Sequence, residues 1–187
     1  MKKASVEIQN VVASASLNQT FDLETIVRMV PGTEYRPESF PGLVFRLKTP
    51  KTATLIFGTG KMVCTGAKSE RQASTAVMRV VSALKSHGIV VVGRPEITIQ
   101  NIVASGDLHG IIELEKATYS LKRTMYEPEQ FPGLIYRMDD PKVVMLLFTS
   151  GRLVCTGAKK TKDVHRAVAV LQKTLEENHL ISFEKDT

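Results

Sequence analysis

Alternation of apolar and polar residues predicts a β-strand at the start of the chain. Within residues 6–17, Ile8 and Asn10 fall on one face, whereas Val11 and Ala13 fall on the other. The chain then continues, after a helical segment, into three β-rich runs separated by short turns that contain proline or glycine. This pattern predicts an antiparallel meander with strands at residues 43–47, 52–57 and 62–66.

Helical spacing of apolar residues occurs on either side of the meander. A short run follows Asp22, a favourable N-cap residue, and ends before Pro31. A longer run begins at a capping box from Ser69 to Gln72 and stops at Gly88. We therefore expect one short helix before the meander and one long amphipathic helix after it.

The whole pattern is repeated without insertion. The run that begins at Phe40 recurs at Phe131, and the run that begins at Val63 recurs at Val154, so 131 − 40 = 154 − 63 = 91 residues separate the copies. Two copies of one supersecondary unit predict a pseudo-twofold arrangement rather than a solenoid. The first copy occupies residues 6–89, the second occupies 97–180, and residues 90–96 join them.

Each copy supplies helices for only one face of its strands. The opposite face carries apolar residues that no predicted helix covers. A broad uncovered apolar face normally marks a binding surface. It also predicts weak self-association of the free protein into a homodimer.

Composition limits the class of protein. The chain has 187 residues, of which 43% are hydrophobic, and it contains neither a membrane-spanning run nor the apolar centre of a signal peptide. These features predict an intracellular, cytoplasmic protein with no membrane partner. The net charge of +6 makes a polyanion a reasonable partner. Charge is unevenly shared, because it is 10 − 6 = +4 in the first copy and 11 − 10 = +1 in the second.

Candidate catalytic groups are weak. Cys64 and Cys155 are too far apart for a zinc cluster, and alternation places each of them beneath the helices as a small buried thiol. The four histidines occupy non-equivalent positions in the two copies and form no metal-binding spacing. We therefore expect neither enzymatic activity nor a metal or other cofactor.

The duplicated order of strand, short helix, Phe-Pro-Gly loop, meander, Thr-Gly-Ala-Lys motif and long helix resembles the TATA-box-binding protein family over nearly the whole chain. A Gln-Asn pair in each first strand, ending at Asn10 and Asn101, strengthens the resemblance. The resemblance implies an α+β saddle with a curved antiparallel sheet of about ten strands and helices on its convex side. It also implies a general transcription factor that binds the minor groove of A/T-rich promoter DNA and bends it.

The resemblance assigns roles to particular residues. Four phenylalanines would wedge between base steps, namely Phe40, Phe57, Phe131 and Phe148. For Phe57 and Phe148, which lie at strand ends, packing in the core is the alternative. Between the wedges the family places a flat, mostly uncharged floor that meets the minor groove: Asn10, Val12, Leu55, Val63 and Thr65 from one copy, and Asn101, Val103, Leu146, Val154 and Thr156 from the other.

Charged positions complete the expected interface. Matching family positions suggest phosphate contacts from basic residues, each of which is equally well explained as a solvated surface charge: Arg46, Lys61, Lys68, Arg137, Arg152 and Lys159.

In the family, a loop of the second copy docks transcription factor B, which brings in RNA polymerase. In this chain that loop contains Glu127, Glu129 and Gln130, and the glutamine replaces the usual apolar residue. The short segment before residue 6 favours the archaeal form of the family, acting on the nucleoid. A related module that binds RNA or a protein strand through the same face is the alternative.

Overall fold

Within residues 3–184, which the computed structural model describes, the chain forms twelve strands and four helices. The first repeat contains β1 (Ser5–Ser16), α1 (Leu23–Met29), β2 (Thr33–Glu34), β3 (Leu43–Lys48), β4 (Lys51–Ile56), β5 (Lys61–Ala67) and α2 (Glu70–Ser86). The second contains β6 (Glu96–Asp107), β7 (Ile111–Ile112), α3 (Leu114–Ser120), β8 (Thr124–Met125), β9 (Leu134–Asp139), β10 (Lys142–Leu147), β11 (Arg152–Ala158), α4 (Thr161–Glu177) and β12 (Ile181–Ser182).

The helices of the first repeat begin at the predicted caps. At the start of α1, the Asp22 carboxylate accepts a hydrogen bond from the Thr25 N–H at 3.3 Å. At the start of α2, the Ser69 hydroxyl accepts from the Gln72 N–H at 3.0 Å. The Gln72 side chain returns a bond to the N–H of Lys68, at 2.7 Å, rather than to that of Ser69. The predicted cap is confirmed, with its reciprocal bond displaced by one residue.

Residues 10–100 form one compact unit. Its strands pair in the order β2-β3-β4-β5-β1, with every pairing antiparallel. Helices α1 and α2 pack on one face of these strands, where alternate strand residues are buried together with the apolar stripes of the helices. The core of this unit includes Leu17, Ile26, Ile56, Met62 and Leu84.

The second compact unit combines residues 101–184 with the first residues of β1, up to Gln9. Its strands pair in the order β6-β11-β10-β9-β8, again antiparallel. Ile102, Leu134 and Met145 are buried, as is Leu171 of α4. A separate two-stranded sheet pairs Ile181–Ser182 with Ile111–Ile112, an element that the sequence pattern does not predict.

The predicted fold class is confirmed. Each repeat contributes five antiparallel strands and two helices, which gives the ten-stranded α+β tandem repeat. The very short edge strands β2 and β8 complete the count and carry almost no alternation of their own. No helix within the described residues has the length and apolar character needed to cross a bilayer.

Candidate nucleic-acid interface

In the first unit, alternate residues of each strand face away from the helices. Met62 and Cys64 are fully buried beneath α2, whereas Val63 and Thr65 are only partly buried. Antiparallel register places Leu55 beside Val63. We call this surface the open face of the first unit, formed by Asn10, Val12, Ser14, Val44, Leu55, Val63 and Thr65.

The second unit has an equivalent surface. Leu153 and Cys155 are buried, whereas Val154 and Thr156 are partly buried, and Leu146 lies beside Val154. The open face of the second unit consists of Asn101, Val103, Ser105, Ile135, Leu146, Val154 and Thr156. Each predicted floor residue therefore lies on an open face, half-buried and uncharged, while its contact with DNA stays a prediction.

Four residues of the open faces were not among the predicted floor residues, although alternation from Asn10 already places Ser14 on the same face of its strand. Val44 and Ile135 lie beside Leu55 and Leu146 in the register of the meander. They could have been found by extending the alternation one strand further. The other two, Ser14 and Ser105, accept hydrogen bonds at 2.8 Å from the side-chain amides of Gln100 and Gln9, respectively.

The asparagines of the open faces are held in a fixed position. The Asn10 Nδ2 donates to the Thr65 hydroxyl at 3.0 Å, and its Oδ1 accepts from the Gly66 N–H at 2.7 Å. In the second unit, Asn101 makes the same two bonds to Thr156 and Gly157, at 3.1 and 2.7 Å. Each unit thus presents one ordered Asn–Thr pair among aliphatic neighbours.

The predicted wedges form two aromatic pairs. Phe40 and Phe57 meet edge to face with ring centroids 6.0 Å apart, and Phe131 and Phe148 do so at 5.9 Å. Phe40 and Phe131 each remain 40% exposed, whereas Phe57 and Phe148 are partly buried. The structure therefore brings each loop phenylalanine against a strand-end phenylalanine of its own unit.

Glycines make room for these pairs. A Cβ at Gly42 would lie 2.7 Å from the Phe40 ring and 3.0 Å from the Phe57 ring. Gly133 has the same relation to the second pair, at 2.7 and 3.0 Å. The glycine of each Phe-Pro-Gly loop thus leaves space into which the two rings pack, and a side chain there would have to displace them.

All six predicted phosphate-contacting residues are exposed, and their surroundings differ between the repeats: Arg46, Lys61, Lys68, Arg137, Arg152 and Lys159. In the first repeat, Glu34 accepts a bond from Arg46 at 3.3 Å and forms a salt bridge with Arg36 at 2.8 Å. Arg152 lies in register with Asp107, whereas the equivalent Lys61 lies in register with Ser16. The basic rim of the second unit therefore includes an acidic neighbour.

The second-repeat loop has a different surface from its twin. Glu127, Glu129 and Gln130 are all exposed. Nearby, Tyr119 and Tyr126 line a groove of about 660 Å³ together with Glu113 and Glu115. Tyr119 is 86% exposed, and Met125, which replaces the Glu34 of the first repeat, is 55% exposed. Acidic and apolar groups thus lie together on this side of the second unit.

The cysteines are buried free thiols, as predicted. Burial raises the pKa of the Cys155 thiol from 9.0 to about 11, and it also raises the pKa of Cys64. Among residues 3–184, no cluster of histidine, cysteine or carboxylate side chains could hold a metal ion.

Comparison with known proteins connects this geometry to a family. The family model described as transcription factor TFIID, or TATA-binding protein, matches residues 5–87 and 96–178. A TATA-box-binding protein of Sulfolobus acidocaldarius is 56% identical over 166 residues, which cover 89% of this chain and 84% of that protein. One from Sulfurisphaera tokodaii is 52% identical over 185 residues, covering 98% and 93%.

A solved structure is similar to this chain in both fold and sequence. The Methanococcus jannaschii TBP is 47% identical to this chain, with a TM-score of 0.84 over 92% of this chain and 99% of that one. Both repeats are matched by the family model, and the strands and helices follow the order expected from the sequence. The chain therefore belongs to the TATA-box-binding protein family of transcription factors.

Proposed function

We propose that this protein is a general transcription factor that binds TATA-like, A/T-rich promoter DNA in the minor groove, bends it, and recruits transcription factor B and, through it, RNA polymerase. The duplicated Asn–Thr pair on an uncharged open face carries this proposal. A protein with this role acts on the nucleoid and binds its target rather than catalysing a reaction on it.

The chemistry of the open faces suits A/T pairs. In the minor groove, A/T pairs present only acceptors, whereas guanine adds an amino donor. Asn10 and Thr65 supply donors among the aliphatic side chains of Val12 and Val63. Such a surface offers amide donors to the acceptors of A/T pairs, and its aliphatic side chains leave little room for the guanine amino group.

The phenylalanine pairs supply a means of bending. Apolar side chains inserted between base steps unstack them, a mechanism for which this family is itself the established example. Unstacking costs a few kcal/mol per step and is easiest at flexible pyrimidine–purine steps such as TA. The exposed rings of Phe40 and Phe131, each backed by a second ring, fit this use.

Basic residues around the open faces would add affinity that does not depend on sequence. Arg46 and Lys61 in the first unit, and Arg137 and Arg152 in the second, are exposed. Contacts with phosphates release counterions, so binding should weaken steeply as salt increases. The open faces would then select the sequence, while the rim holds the backbone.

Gel shift and energy transfer test the central proposal together. A labelled TATA duplex is compared with a duplex in which G/C pairs replace the A/T pairs, and the end-to-end distance of each is followed by energy transfer. We expect binding and bending of the TATA duplex at concentrations at which the G/C duplex stays free. Equal binding to both duplexes, or preferential binding to single-stranded RNA, would contradict the proposal.

Recruitment of transcription factor B is expected at the acidic loop of the second repeat. Exposed Glu127 and Glu129, next to the apolar groove lined by Tyr119, favour a partner with basic and apolar residues. We predict that Glu129→Arg weakens assembly of the ternary complex by about tenfold and leaves binding of the TATA duplex intact. The substitution places a positive charge where the basic surface of the partner is expected to bind.

The matched control is Glu38→Arg, which makes the same change at the equivalent position of the first repeat. Native gels with purified factor B and TATA DNA measure both variants. Equal loss of ternary complex in the two variants, or no loss in either, would argue against docking at the second-repeat loop.

A further inference from the structure

The Thr-Gly motif of each repeat forms a β-bulge. In the first unit, Val11 pairs with Ala67 but Ala13 pairs with Cys64, so β5 has one residue more than β1 over this stretch. The bulge falls at Gly66, whose φ of +98° lies in the region that favours glycine. A bulge breaks the regular ladder and leaves a backbone N–H without a strand partner.

The second unit repeats this construction. Ile102 pairs with Ala158 and Ala104 with Cys155, so β11 is bulged against β6. Gly157 has a φ of +101°. The same irregularity therefore occurs at the same position of both repeats.

The N–H released by each bulge is used by an asparagine. Gly66 donates to the Asn10 Oδ1, and Gly157 donates to the Asn101 Oδ1, both at 2.7 Å. A peptide N–H can only donate, so the atom that faces it must be the amide oxygen. Turning either amide by half a rotation would bring two donors together and lose the bond.

This bond determines which end of the amide faces the groove. Because the bulge N–H bonds Oδ1, the Nδ2 group is the part of the amide that is left to bind other partners. One of its two hydrogens bonds the threonine hydroxyl, at 3.0 Å in the first unit and 3.1 Å in the second. The second hydrogen is left to donate to a ligand. An asparagine that could rotate would present either a donor or an acceptor and would accept guanine as well as adenine.

We propose that Gly66 and Gly157 are positioning residues, whose bulged N–H groups lock Asn10 and Asn101 as donors towards the open face and so reject the guanine amino group. This inference rests on the proposed binding of the minor groove. Glycine is needed because another residue at position 66 would adopt a strained φ, and its Cβ would lie 3.2 Å from the Lys51 carbonyl oxygen.

The lock itself is tested in the free protein by NMR. We expect a scalar coupling through the hydrogen bond between the Gly66 amide nitrogen and the Asn10 side-chain carbonyl carbon, together with slow exchange of the Gly66 N–H. In Asn10→Ala, exchange at Gly66 should accelerate while exchange at Gly157 is unchanged, which makes the second repeat an internal control. Absence of the coupling in both repeats, or unchanged exchange in the variant, would overturn the lock.

Its effect on recognition is tested with modified DNA. Diaminopurine in place of adenine adds only an amino group to the minor groove of the TATA duplex. Asn10→Asp keeps an oxygen for the Gly66 N–H but replaces the outward donor with an acceptor. We expect the preference for adenine over diaminopurine to fall by about tenfold in this variant, since the new acceptor repels adenine and accepts from the added amino group.

Comparing ratios removes other effects of the substitutions. The stiffness of the modified duplex affects wild type and variant alike, and the new negative charge affects both duplexes alike. Both effects therefore cancel when the adenine preference of the variant is compared with that of the wild type. Lys61→Gln should weaken binding to both duplexes and leave the ratio at the wild-type value, because phosphate contacts carry no sequence information. A wild-type ratio in Asn10→Asp would overturn the role in recognition. If the wild type fails to prefer TATA DNA at all, the proposed function fails, while the NMR result still decides whether the lock exists.

Discussion

At the scale of single residues, the aromatic pairs combine exposure with support. Phe40 and Phe131 lie in loops, and each packs edge-on against a strand-end ring. An aromatic pair of this kind contributes about 1 kcal/mol beyond the area it buries. The strand-end rings therefore hold the loop rings in position, and they need not be core residues to be partly buried.

We predict that Phe148→Ala shortens the lifetime of the TATA complex by about tenfold or more and reduces bending, because one wedge is removed. Surface plasmon resonance and energy transfer measure the two effects, and circular dichroism checks the fold. Tyr119→Ala, which removes an exposed ring from α3, should change neither quantity. Loss of folding in Phe148→Ala would instead assign this ring to the core.

The buried thiols predict how stability depends on pH. Since burial raises the pKa of Cys155 to about 11, the folded protein keeps a proton that the unfolded chain loses near pH 9. The free energy of unfolding should therefore decrease as the pH rises above 9. Urea denaturation from about pH 8 to about pH 10 should show a smaller decrease in Cys155→Ala than in the wild type. An identical pH dependence in both proteins would contradict the predicted contribution of Cys155.

At the scale of elements, the two long helices begin differently. Ser69 caps α2 with its hydroxyl, whereas the equivalent residue before α4 is Lys160, which has the same extended backbone but makes no side-chain cap. The backbone before α4 thus has the same extended conformation as the backbone before α2, although it lacks the side-chain hydrogen bond of the cap. The helix N-termini of the two repeats should accordingly differ in stability.

Exchanging the caps tests this difference. Ser69→Ala should lower the free energy of unfolding by about 1 kcal/mol, because it leaves an N–H at the start of α2 without its partner. Lys160→Ser should raise it by up to about 1 kcal/mol, because a serine hydroxyl can reach the Asp163 N–H. Chemical denaturation measures both changes. Destabilisation by Lys160→Ser would show that the lysine makes a contribution that the cap does not replace.

At the scale of the whole molecule, the two repeats share the features of their open faces and differ in their charges. Both open faces carry the same Asn–Thr pair, the same bulge and the same aromatic pair. The acidic loop around Glu127 and the carboxylate of Asp107 belong to the second repeat alone. The repeats are thus similar where DNA is expected and different where orientation or a protein partner could depend on them.

Asp107→Ser gives the second repeat the residue that the first repeat has opposite Lys61. We predict that it strengthens binding to TATA DNA by about threefold at low salt, because it removes the negative charge from the residue in register with Arg152 and so no longer opposes the approach of phosphate. Fluorescence anisotropy at two salt concentrations measures the effect, which should shrink at the higher one. The same gain at both concentrations would show that the change is not electrostatic.

Most of the fold could be predicted from the sequence, because the residue patterns that specify its strands and helices are local and occur in both repeats. Alternation around Val63, helical spacing after Ser69 and the constant offset of 91 residues predicted the long strands, the helices and the tandem repeat, whereas the count of about ten strands came from the family resemblance. The short edge strands and the pairing of Ile181 with Ile112 were not predictable. Two-residue strands carry no period, and their pairing depends on which segments the fold brings together.

The strand face of each floor residue was likewise predictable from the sequence, because side chains alternate between the two faces of a regular strand. The direction of the Asn10 and Asn101 amides was not. It depends on a backbone N–H that is 56 residues away along the chain and is turned towards the side chain by a bulge. Alternation specifies which residues share a face, but the orientation of a polar group is decided by its hydrogen-bond partner, and only the tertiary structure brings that partner within reach.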